Sequence, residues 1–249
     1  MTLEGWDARE SEATDKEGRY NPRQVCAHPI MIINFAREMG LYGLMPSAFY
    51  DLCRYGPSKI VSGIPIPENM RFLHRNQVNL RSTFQENASF TTSGIREKDD
   101  GSNHLRKTWL TLSPSDLHMI LIGREAAQRS TAAFVESQLT SRSPSPSCHN
   151  LSNDSGRICR ESFYFILLNV LRSVGGISAG RDADPLFTLN QAVEMMSRED
   201  FSDGNRFCAL KICSACRSDF AKGVERIREE IWEQIPKWFG LQSLIEDHF

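Results

Sequence analysis

What this chain lacks narrows its chemistry first. No window holds the ~18 consecutive apolar residues that a membrane-spanning helix needs. The first residues, Met1 to Glu10, are polar and lack the apolar run of an export signal. Charge of one sign is missing too. Lys and Arg number 29 against 31 Asp and Glu, a net charge of −2, with both signs interspersed. That balance offers no broad basic footprint for nucleic acid or an anionic membrane. There is no phosphate-cradling glycine loop and no dinucleotide fingerprint. Strand-type alternation is all but absent, with only a short candidate around Trp109 and Leu110. The cysteines do not pair evenly either, since there are seven. Without an export signal, an odd set implies reduced thiols or metal ligands and an intracellular site, cytoplasmic or nuclear. The sequons at Asn87, Asn150 and Asn153 are then expected to go unused.

What is present is helical periodicity. Residues 1–28 combine mixed charge with few large apolar side chains and read as a mobile lead-in. Residues 29–57 carry a helical hairpin. In its first arm Ile30, Ile33, Phe35, Ala36, Met39 and Leu41 form an apolar stripe that Gly43 ends. Pro46 opens the second arm, which places Ala48, Phe49, Leu52 and Cys53 on one face before Gly56-Pro57. Residues 58–112 read as an irregular insertion, because Ile64-Pro65-Ile66-Pro67 excludes a regular helix and residues 85–104 lack apolar periodicity.

Residues 113–241 read as a helical core domain. Ser113 caps a helix that Pro114 and Asp116 begin, and Leu117 to Leu139 extend it. Arg142-Ser-Pro-Ser-Pro-Ser147 breaks that helix as a solvated linker. Phe163 to Val174 is apolar on most sides, as a central helix should be, and Gly175-Gly176 ends it. Asp184-Pro185 caps a helix carrying Leu186, Leu189, Val193 and Met196. In the last helix Phe220, Val224, Ile227 and Ile231 recur at spacings of four, three and four, and are expected to dock on the Phe163–Val174 segment. Pro236 is expected to stop that helix, with Trp238-Phe239 folding back as a plug. Residues 242–249 remain as a tail. The expected fold is mainly α: an irregular multi-helix bundle with long loops, stapled by zinc.

The staple is read from four cysteines. Cys213-x-x-Cys216 is a knuckle that presents two thiolates to one tetrahedral ion. Cys148 and Cys159, with ten residues of a polar loop between them, supply the other pair, with His149 as a substitute and Cys208 as a spare. The spacing is not a standard zinc-finger pattern, and small buried thiols packed as hydrophobes would look the same in sequence. Cys26 and Cys53 read as core packing. A redox reading of Cys213-Ser-Ala-Cys216 would need a preceding strand and a βαβ context, and neither is visible.

Gly176-Ile177-Ser178-Ala179-Gly180 spells a nucleophile elbow, the basis of an alternative reading as a serine hydrolase. That motif needs a strand–turn–helix bend, whereas here it follows a helix, so a helix–helix turn accounts for it. Asp182 and Asp184 make a carboxylate pair, but Asp184 already serves as a cap. His74, His104 and His118 stand beside no acid or nucleophile. No catalytic set emerges, and no enzyme is expected. A zinc-dependent nucleic-acid binder is a further alternative, opposed by the net charge.

Several strings resemble the region that follows the BTB/POZ domain in mushroom-type fungal BTB proteins. They are Pro46-Ser-Ala-Phe-Tyr-Asp-Leu-Cys-Arg-Tyr-Gly-Pro-Ser58, Leu121-Ile-Gly-Arg-Glu-Ala-Ala-Gln-Arg129, Cys159-Arg-Glu-Ser-Phe-Tyr-Phe165, Gly180-Arg-Asp-Ala-Asp-Pro-Leu-Phe187 and Ile235-Pro-Lys-Trp-Phe-Gly-Leu241. The resemblance runs over roughly 29–241, with a gap across the irregular stretch, and implies a protein-binding adaptor module. The BTB unit itself is not visible upstream, so the chain is expected to be a standalone relative or a truncated form. Roles that depend on that unit do not carry over. The expected partners are proteins, with neither nucleic acid nor membrane.

Overall fold

The computed structural model describes residues 1–16, 19–66, 95–97, 108–172, 177, 180–199, 201–202, 207–208 and 210–246. The fold is mainly α. Two compact units divide it, Met1–Leu121 with Ser243–Phe249, and Ile122–Gln242.

In the first unit, residues 1–28 depart from the mobile lead-in expected of them. Thr2 caps α1 (Leu3–Glu12), its side chain accepting from the Gly5 N–H, and Trp6 is 2% exposed. Trp6 meets Tyr50 edge-on, with ring centroids 5.0 Å apart. Trp6 is the one fully buried side chain of a helix that is otherwise mostly polar, and its ring anchors that helix. The hairpin follows as α2 (Pro29–Met39) and α3 (Met45–Cys53). Its first arm ends at Gly40, whose φ of 68° closes the helix, and not at Gly43. Ile30, Ile33 and Ala36 are buried, whereas Phe35, Met39 and Leu41 are exposed. The short helix α4 (Pro57–Ser62) leads into a small antiparallel sheet of β1 (Ile64–Pro65), β2 (Ile95–Glu97) and β3 (Thr108–Leu110), ordered β1-β3-β2. The candidate at Trp109 is thus a strand, and part of the expected insertion is ordered. The remainder of 85–104 lies outside the described residues.

Ser113 caps the long helix α5 (Pro114–Phe134), its Oγ accepting from the Asp116 N–H at 3.0 Å. The division between units falls within α5, after Leu121, and not at its start. A π-helical turn, Val135–Thr140, extends it.

The second unit continues with α6 (Leu151–Asp154), α7 (Arg157–Leu171) and α8 (Pro185–Glu194). A two-stranded ribbon of β4 (Phe201–Ser202) and β5 (Phe207–Cys208) precedes α9 (Ser214–Trp238). α7 is one-sided, unlike the all-round apolar helix expected. Phe163, Ile166, Leu167 and Val170 are buried, while Tyr164, Phe165 and Leu171 are exposed. The stop expected at Gly175-Gly176 lies outside the described residues. Asp184 caps α8 as expected, accepting from the Phe187 N–H at 3.4 Å. α9 runs alongside α8 more extensively than α7, although Phe163 and Phe220 do meet at 5.4 Å. Pro236 sits inside α9 rather than stopping it, and Phe239 just beyond is 1% exposed. The plug fills space left by Gly123 on α5, where a Cβ would collide with the Phe239 ring. The expected tail contains α10 (Gln242–Glu246).

Candidate metal centre

Three separate segments of the second unit deliver the cysteines to one place. The first is the Ser-Pro tract. It is pinned at one point rather than wholly solvated: Ser145 is 5% exposed while Ser143, Pro146 and Ser147 are exposed, and Cys148 just beyond is 6% exposed. Its fit depends on Gly156, which takes a φ of 73°, and where a Cβ would come within 2.6 Å of the Pro144 Cγ. A bulkier residue there would strain the backbone and push the tract away.

The second segment is the start of α7. The Asp154 carboxylate accepts from the Gly156 N–H at 3.0 Å and the Ile158 N–H at 3.1 Å, fixing the first turn. Cys159 stands at the third helical position. The third segment, the start of α9, repeats this placement. Cys213 is the capping residue, its Sγ facing the Cys216 N–H at 3.4 Å, and Cys216 is again the third helical residue. Both helices thus place a cysteine at their third residue in the cluster, and at the start of α9 the Cys216 N–H is turned onto the Cys213 sulfur.

The Sγ atoms of Cys148, Cys159, Cys213 and Cys216 all lie within 4.8 Å of one another. Cys148 to Cys159 is 3.7 Å and Cys148 to Cys213 is 3.8 Å. A tetrahedral site with metal–sulfur bonds of ~2.3 Å has sulfurs ~3.8 Å apart, so the observed spacing matches a four-thiolate site. The chain brings all four expected ligands together, across the 53 residues that separate Cys159 from Cys213.

N–H donors surround the sulfurs. The Ser145 N–H points at Cys216 Sγ (3.3 Å), while the Cys213 N–H and the Asn150 side chain both point at Cys159 Sγ (3.4 Å each). Donors aimed at sulfur stabilise thiolate. Burial pushes the Cys213 thiol up, but hydrogen bonds from the backbone of Cys216 and His149 outweigh it and bring it down to about 6. Burial raises Cys159 and Cys216. Once one thiol has ionised, a cation is what allows its buried neighbours to follow.

His149 is exposed, and only its backbone reaches the cluster. The Cys208 side chain lies outside the described residues. Cys53 is fully buried and Cys26 half-buried, its Sγ 3.2 Å from the Pro22 carbonyl oxygen. Ser178 and Gly176, like His74 and His104, also lie outside the described residues. Asp182 is bound by Arg124 at 2.8 Å and by Gln128, while Asp184 serves as the cap of α8.

One polar constellation of the first unit was not read from the sequence. Asp51 is 1% exposed and accepts from Arg54 (2.7 Å), Arg23 (2.8 Å) and Arg9 (3.3 Å). Glu10 binds Arg54, Arg9 and the Tyr20 hydroxyl, and Arg9 stacks 3.8 Å over Trp6. Burial opposes ionisation of Asp51, yet the three guanidinium groups hold its carboxyl below the ordinary value. The available signal was Asp51 itself, an acid within the apolar face of a helix and one turn from an arginine.

No protein-family model, curated protein or solved structure matches the chain. Among the described residues, no helix is long and apolar enough to cross a membrane.

Proposed function

We propose that this protein is a non-enzymatic, helical protein-interaction module closed by one structural zinc ion on Cys148, Cys159, Cys213 and Cys216. The convergence of the four sulfurs within 4.8 Å carries the reading. Sulfur-only coordination selects a soft or borderline ion, and a closed set of four leaves no position for substrate, which favours structural zinc over catalytic zinc. The ion ties the Ser-Pro tract and the starts of α7 and α9 into one joint. Its binding free energy then becomes folding free energy. The module part of the reading rests on the resemblance to the post-BTB region and on the exposed side chains Tyr164, Phe165 and Leu171 along α7.

Metal analysis of the purified chain tests the staple. One zinc per chain is expected, lost to a strong chelator with a fall in melting temperature, and Cys213→Ser should melt low without any chelator. A metal-free chain that melts unchanged after chelation would overturn it. A photo-crosslinking residue in place of Tyr164 tests the module. Discrete protein adducts are expected in cells, and their absence alongside adducts from a control site would count against it.

A further inference from the structure

Resting on that zinc reading, we propose that Arg142 is the counter-ion of the loaded centre, setting its metal affinity through charge, with Asp219 as the group that tempers it. Four thiolates around a divalent ion leave two net negative charges in a largely buried site. Charge of that kind is costly unless a fixed cation stands near it.

The geometry places Arg142 for that role. Cys159 and Cys216 hold equivalent positions at the starts of α7 and α9, and one turn further on each helix presents a phenylalanine, Phe163 and Phe220. The Arg142 guanidinium lies over both rings, 5.1 Å from the first centroid and 4.9 Å from the second. It therefore lies over side chains one helical turn beyond both of these cysteines. Its side chain is 11% exposed. Chain connectivity holds it there as well, because Ser145, three residues on, gives its N–H to Cys216 Sγ. Burial lowers the Arg142 pKa, and Asp219 and then Cys216 partly offset that.

Among the described residues the other partners of Arg142 are few. Nη1 donates to Gln138 Oε1 at 2.7 Å, Nη2 donates to Asp219 Oδ2 at 2.5 Å, and Nε is buried with no hydrogen-bond partner among the described residues. Asp219 is half exposed, so its pairing with Arg142 contributes little to folding but subtracts from the cation's field at the sulfurs. This gives two substitutions with opposite signs. Loss of the cation weakens metal binding, whereas loss of the acid strengthens it. A purely structural Arg142–Asp219 pair would make both substitutions act in the same direction.

The test is a Co²⁺ titration of the full chain, read by thiolate-to-cobalt charge transfer and d–d absorption, in Arg142→Gln, Arg142→Lys and Asp219→Asn. Arg142→Gln should weaken Co²⁺ binding about tenfold, the lower end of what outer-shell partners of metal sites contribute. Arg142→Lys should recover part of that loss, and Asp219→Asn should tighten binding a few-fold. The gap between wild type and Arg142→Gln should narrow as salt rises, since screening weakens charge but not packing. Equal affinity for wild type and Arg142→Gln, or weaker binding by Asp219→Asn, would overturn the role of Arg142. Should Arg142→Gln fail to fold, the Asp219→Asn sign and its salt dependence still decide. Absence of the charge-transfer band in wild type would instead overturn the four-thiolate reading itself.

Discussion

His28 shows how much a single residue of this chain can link. It caps α2, its Nδ1 accepting from the Ile30 N–H at 3.3 Å, so it must be neutral there to act as an acceptor. Burial, and then the Arg23 guanidinium, lower its pKa to about 4 from an ordinary 6.5. Between those values the unfolded chain holds the extra proton, so stability rises with pH. The His28 contribution is therefore complete above about pH 6.5 and is lost as pH falls toward 4. His28→Asn keeps a capping acceptor but does not titrate. Denaturant midpoints measured from pH 7.5 down to 4.5 should fall for wild type and hold flatter for His28→Asn. Parallel curves would show that another group is responsible. Gly123 makes a steric rather than an electrostatic case. Its backbone is ordinary helix, yet a Cβ would enter the Phe239 ring. Gly123→Ala should cost about 1–3 kcal/mol by overpacking, and a smaller side chain at 239 should recover part of it. A neutral Gly123→Ala would mean that the ring moves aside freely.

Among the elements, α9 was the most legible and still held an error of one position. Its buried residues are Cys216, Phe220, Val224, Arg228, Ile231 and Ile235, while Ile227 is only half-buried. The apolar spacing picked Ile227 because hydrophobicity alone cannot show that an arginine lies inward. Arg228 does so by burying its stem and pairing with Glu225 at 2.9 Å. Ile231→Ala should therefore cost about 2–4 kcal/mol and Ile227→Ala about 1 kcal/mol or less. Urea midpoints of the two variants in the reverse order would show that the 227 position faces the core. The same reasoning explains the other gains and losses. Caps at Ser113 and Asp184 were visible because a capping side chain acts within its own turn. α1 was not, since its anchor is Trp6 against Tyr50 and its charges answer to Asp51 and Arg54 far along the chain. The cysteine cluster was legible as a set of residue types, but its convergence depends on Gly156 admitting Pro144, a contact with no local signature. The anchoring of the Ser-Pro tract at Ser145 was missed for the same reason.

At the scale of the whole molecule, two different devices hold the two units. The first, Met1–Leu121 with Ser243–Phe249, is organised on a buried acid enclosed by three arginines, and it contains none of the four clustered thiols. The second, Ile122–Gln242, contains all of them. Cross-linking by a metal acts on the segment it closes, both by removing loop freedom from the unfolded chain and by making folding contingent on the ion. Removing the ion should therefore lower stability selectively. Helix α5 sets the limit of that selectivity, because it begins in the first unit and ends in the second, and fraying at its C-terminal end need not spread to its capped N-terminus. Amide hydrogen exchange with and without a strong chelator separates the possibilities. Amides of α7 and of the first turns of α9 should lose protection when the metal is removed, those of α2 and α3 should keep theirs, and protection along α5 should grade from its Ser113 end to its Phe134 end. Equal loss in α2, α3 and α7 would show that the chain unfolds as one cooperative body, with the cysteine joint stabilising both units alike.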